Sequence, residues 1–137
     1  MKKITKTLVA IILIAVLSLT GITASASNYT VSPRWTHLGD ANIAFVATAT
    51  GGHIEVSYDG YESFARADLT VKVEKRFLWA FWNDIGEWSA SSTNNNGYFS
   101  HTFDLNGSGT YRATFTLKIT GSNGTVDTIE ETIESKY

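Results

Sequence analysis

The chain has no cysteine and only one proline and one methionine among its 137 residues. Without thiols there are no disulfide staples, no cysteine-based zinc sites and no cysteine nucleophile, so hydrophobic burial must hold the fold. Positive charge is also short: 11 Lys and Arg stand against 13 Asp and Glu, and three of the lysines, Lys2, Lys3 and Lys6, fall in the first six residues. The remainder carries a net charge of −5. Its basic residues, Arg34, Arg66, Lys72, Lys75, Arg76, Arg112, Lys118 and Lys136, are interleaved with acids rather than gathered in a stripe. That distribution argues against nucleic acid, anionic lipid or teichoic-acid-like polymers as partners, and against a cationic membrane-killing peptide.

Histidine is equally sparse. His37, His53 and His101 stand alone, with no H-E-x-x-H motif, and no Gly-x-Ser-x-Gly elbow is present, so no metal, cofactor or nucleophilic centre is expected. His101, between Phe99 and Phe103, reads as a satisfied interior or interface histidine rather than a catalytic one. Asp104-x-Asn106-x-Ser108-Gly109 matches the start of a calcium loop, but position twelve would be Phe115, which carries no carboxylate, and the segment reads as an interstrand turn.

What the chain does have begins with an export signal. Lysines at the start, a twelve-residue apolar run from Leu8 to Leu19, and Ala24-Ser25-Ala26 form the three regions of a secretory leader over residues 1–26. The run is shorter than the roughly 20 residues that span a bilayer. The mature chain is expected to start at Ser27 and to stay outside the cell, free or wall-associated, with no stable membrane insertion after cleavage. Aromatic residues are plentiful: four Trp, six Tyr and seven Phe, each able to bury about 150–250 Å².

Residues 27–41 read as an extended lead-in ending near Gly39-Asp40, and residues 42–137 as one domain. Period-two alternation marks strands at Ile43-Phe45-Ala47, Ile54-Val56-Tyr58, Ala67-Leu69-Val71-Val73, Phe99-His101-Phe103 and Tyr111-Ala113-Phe115-Leu117-Ile119. Gly51-Gly52, Asp59-Gly60, Asn106 to Gly109 and Ser122-Asn123-Gly124 supply turns. Ser89 to Gly97 reads as a loop or a weak edge strand, and Thr125 to Ile133 as a last strand. About seven short strands without a convincing helix predict an all-β antiparallel sandwich. Gly109-Thr110-Tyr111-Arg112-Ala113 favours the immunoglobulin-like version, in which a corner tyrosine bonds back to the backbone and the residue two positions later faces the core.

The stretch from Leu69 to Tyr137 resembles a group of small exported proteins of Gram-positive bacteria. The shared elements are a Val/Leu-Lys strand, W-x5-W (Trp82 and Trp88), a Ser/Thr-rich stretch, Gly-x-Tyr-Arg (Gly109 to Arg112), Ser122-Asn123-Gly124 and a final Tyr137, with Pro33-Arg34 upstream. The resemblance implies an immunoglobulin-like or fibronectin-like sandwich outside the membrane and carries no activity with it. The chain departs from that pattern at Phe77 to Phe81, where a Gly/Ser-rich turn would be expected.

That aromatic segment is the candidate site. Either Phe77-Leu78-Trp79-Ala80-Phe81 continues a buried strand while Trp82 and Trp88 fill the space between sheets, or it forms an exposed apolar patch of the kind that marks a partner surface. In the second reading Phe77, Trp79 and Phe81, beside Asn83, Asp84 and Tyr98, would bind a cell-wall or host glycan or another protein. A structural spacer of the envelope is the alternative, and a small glycan hydrolase using Asp84 and Glu87 is a third reading.

Overall fold

The computed structural model describes residues 26–29 and 35–137. The expected leader up to Ser25 and the Pro33-Arg34 pair lie outside these residues. Eight strands are present among the described residues: β1 (Ala26–Tyr29), β2 (Leu38–Thr48), β3 (Gly51–Gly60), β4 (Phe64–Phe77), β5 (Phe81–Ser92), β6 (Asn96–Phe103), β7 (Thr110–Gly121) and β8 (Val126–Lys136). They form two four-stranded sheets of order β1-β2-β3-β6 and β5-β4-β7-β8, all pairings antiparallel. The chain changes sheet after β3, β5 and β6. These are the crossings of an immunoglobulin-like Greek-key sandwich, with β1 added beside β2.

The alternation seen in the sequence becomes the core. Ile43, Phe45, Ile54 and Val56 of one sheet face Leu69, Val71, Val73, Phe115, Leu117 and Ile119 of the other, all at most 1% exposed. Tyr111, fully buried at the start of β7, donates its hydroxyl to the Gly107 carbonyl (2.5 Å), and Ala113 beyond it is fully buried, as the corner motif predicts. No helix is long and apolar enough to cross a membrane among the described residues.

Two segments differ from the sequence reading. Leu38 to Ala41 belong to β2 rather than to a lead-in, and Ala26–Tyr29 pairs with Ala41 to Ala44. A register break between Leu38 and Asp40 interrupts the period-two pattern, so the strand was legible only from Asn42. Ser89 to Ser92 complete β5 as an edge strand, leaving only Thr93 to Asn95 as connection.

A polar knot ties the start of this region to its end. Asp127 accepts hydrogen bonds from the backbone amides of Thr36 (2.9 Å) and His37 (2.6 Å). The His37 ring is 1% exposed and shares hydrogen bonds with the hydroxyls of Ser63 (2.7 Å) and Thr125 (2.5 Å). Every polar atom of the buried ring is thereby satisfied, which is the condition for placing an imidazole in a core.

Candidate functional site

The β4–β5 hairpin is longer than its surroundings. β4 pairs with β7 only as far as Lys75 opposite Tyr111, whereas its pairing with β5 continues through Arg76–Trp82 to Phe77–Phe81. The hairpin tip thus overhangs the sandwich by about 10 Å at strand rise. A 3-10 turn, Leu78–Ala80, closes it, and none of the turn's residues is buried. Phe77 is 52% exposed, Leu78 61%, Trp79 93% and Phe81 64%. Together these four side chains leave roughly 500 Å² of apolar surface in water, close to the largest patch of an ordinary monomer but here concentrated at one projection.

Leu78 carries a second cost. Its φ of 43° lies in the left-handed region, and it is the sole non-glycine residue there among the described residues. A branched aliphatic side chain is strained in this conformation, and the turn has no side-chain cap. Asparagine tolerates left-handed φ through its short polar side chain. Leu78→Asn is therefore expected to raise stability by about 0.5–1 kcal/mol, read as a higher urea midpoint; an unchanged or lower midpoint would show the turn to be unstrained.

Behind the tip the hairpin has two faces. Lys75, Phe77, Phe81 and Asn83 share one, and the Lys75 ammonium donates to the Asn106 carbonyl. The calcium-like segment 104–109 therefore spends its Asn106 and Gly107 carbonyls on Lys75 and Tyr111, as an interstrand turn does. On the other face Trp82 is covered by two guanidinium groups, Arg112 at 4.2 Å and Arg76 at 4.8 Å from its ring centre. Arg112 also bonds Glu74 (2.6 Å), Arg76 bonds Glu134 (2.8 Å), and Lys72 bridges Asp84 (2.8 Å) and Glu74 (3.4 Å). The collar below the tip is thus a charge-balanced net around an indole.

Glu74 is the most buried acid of this net. The hydrogen bond from Arg112 holds its carboxyl below the ordinary glutamate value of 4.5 against the opposing effect of burial, and Lys72 adds to the lowering. A depressed carboxyl contributes stability in full above its unfolded-state value and loses it as pH falls through the folded value. The urea midpoint is accordingly expected to drop as pH falls below about 4.5, with a shallower drop in Glu74→Gln; equal slopes in the two proteins would refute the assignment.

Among the candidate residues, Phe77, Trp79, Phe81 and Asn83 come together on the hairpin. Asp84 is on the same strand but turned to the collar face, where Lys72 holds it. Tyr98 is elsewhere: it lies in β6 opposite Ser57, and a hydrogen bond with Glu55 raises its hydroxyl above the usual 10.0. Five residues of strand separate it from Phe103, about 17 Å along the sheet. Asp84 and Glu87 stand exposed on an open sheet face either side of Lys72, not across a cleft. An open recess of about 260 Å³ lined by Asp40, Ala41, Asn42, Tyr58, Asp59 and Asn96 lies at the opposite end of the sandwich.

The expectation that Trp82 and Trp88 both fill the space between sheets holds for one of them in part. Trp88 faces inward opposite Val71 and stacks on His101, with ring centres 4.6 Å apart and planes within 6°. Trp82 faces outward. Six residues apart, the two would share a face in a regular strand, but the pairing of Gly86 with Val73 and Asp84 with Glu74 leaves Ile85 as an extra residue, and this bulge inverts the alternation. Arg76 as partner of Trp82 was accessible from sequence, because both sit symmetrically about the turn; Arg112 was not, because nothing local brings β7 beside β4. No known protein family, curated protein or solved structure matches the chain.

Proposed function

We propose that the protein is an exported, non-enzymatic recognition module whose contact surface is the tip of the β4–β5 hairpin. The observation that carries this reading is a turn that is costly in the free protein. It exposes Phe77, Leu78, Trp79 and Phe81 and strains Leu78, and none of its residues is buried in return. A spacer whose fold is its whole purpose would be served by Asn-Gly at this turn. The partner surface is apolar rather than a hydroxyl-rich glycan, because a sugar platform needs polar groups converging beside the rings. Of the polar candidates only Asn83 stays beside the rings; Tyr98 is remote in β6, and Asp84 is engaged by Lys72 on the other face.

Truncation of the anchor tests the reading. Trp79→Ala is expected to change folding stability by no more than about 0.5 kcal/mol, since the side chain is 93% exposed, while abolishing saturable binding to cell-surface and envelope fractions. Tyr98→Ala is expected to leave binding intact. Binding by Trp79→Ala equal to that of the wild type, or a stability loss of several kcal/mol, would remove the tip from its role.

A further inference from the structure

Resting on that reading, we infer that the surface the tip meets is the interface of a phospholipid bilayer with zwitterionic headgroups, entered shallowly and reversibly. Three observations select this occupant. The first is shape: about 500 Å² of apolar surface sits on a convex projection, which a fluid interface closes around without a matching groove. The second is composition. Residues 77–81, Phe-Leu-Trp-Ala-Phe, carry no charge, so nothing in the inserting segment opposes transfer to the acyl boundary. Trp79, at the apex, has the amphipathic ring that settles at headgroup level.

The third is the collar. Lys72, Arg76 and Arg112 are matched by Glu74, Asp84 and Glu134 through the ion pairs described above. A surface of paired opposite charges complements headgroups that also carry both signs. It offers no net attraction to an anionic leaflet, which the acidic chain as a whole would disfavour. The contact is therefore apolar in origin. Its strength should be insensitive to salt, and it differs from stable insertion in that only the turn crosses the headgroup layer.

Vesicles of phosphatidylcholine brominated near the top of the acyl chains test this with the full-length chain. Bromine quenches only indoles at that depth, and residues 1–26 contain no tryptophan, so an anchoring leader cannot mimic the signal. The expected result is quenching of wild-type fluorescence that is unchanged between low salt and 0.5 M salt on the order-of-magnitude scale where surface charge is screened. Most of the quenched fraction should vanish in Trp79→Phe, which keeps the ring apolar but removes the indole. Phe77→Asp and Phe81→Asp are each expected to weaken vesicle binding about tenfold or more. Quenching that survives in Trp79→Phe, or that appears only with anionic vesicles and disappears in salt, would overturn the proposal. If phosphatidylcholine gives no quenching while Trp79→Ala still loses binding to envelope fractions, the bilayer is wrong and the tip's recognition role stands; if neither responds, both fall.

Discussion

Tyr111→Ala is expected to cost about 3–5 kcal/mol in folding stability, measured by urea unfolding followed through intrinsic fluorescence. The ring is fully buried at the start of β7, stacked against Tyr137 with centres 6.0 Å apart and covered by the Lys75 ammonium at 5.4 Å. Its removal opens a cavity between the end of β4, the turn at Gly107 and Tyr137. The hydroxyl makes a separate contribution, since it supplies the donor for the Gly107 carbonyl in a turn whose two glycines have φ of 70° and 149°. Tyr111→Phe keeps the packing and deletes that donor, so it is expected to cost about 1 kcal/mol. Should the alanine variant fail to fold, the phenylalanine variant still reports. A Phe variant as stable as the wild type would mean that the corner hydrogen bond carries no weight.

A comparable loss, about 3 kcal/mol or more, is expected for Gly121→Ala at the end of β7. A methyl group built there would clash with Cε1, Nε2 and Nδ1 of the His37 ring. The ring cannot retreat easily, because Ser63 and Thr125 hold its two nitrogens and Asp127 holds the backbone beneath it. The account makes a sharper demand on the double variant Gly121→Ala, His37→Ala. With the imidazole gone the methyl has room, so the two losses should combine to much less than their sum, a coupling that a double-mutant cycle measures directly. Strictly additive losses would show that the glycine is required for some other reason.

Much of the sandwich was visible in the chain before any coordinates, because a strand that buries one face writes a period of two into its side chains. β3 and β7 do so without interruption, and β4 does so from Ala67 to Val73. Tyr111 was visible for a related reason: its partner is only four residues away, so the corner is local. Where the alternation breaks, legibility ends. The irregularity at Leu38 hid the first third of β2, and the extra residue Ile85 sent Trp82 and Trp88 to opposite faces although their spacing suggested one. No composition or spacing announces a bulge. The aromatic tip was recognised as a segment, but its exposure stood as one of two readings, since Phe-Leu-Trp-Ala-Phe-Trp reads equally well as core. Its exposure follows from a length difference between β4–β5 and β7, which exists only once the sheets are assembled.

The bond between Asp127 and the backbone of His37 joins residues 90 apart and has a consequence for the order of events during synthesis. As residues leave the ribosome from first to last, the histidine is made well before its carboxylate partner. Closure of this end of the domain must wait until the final hairpin has emerged. Contacts so distant along the chain also place folding in the slow millisecond-to-second range of sandwich proteins.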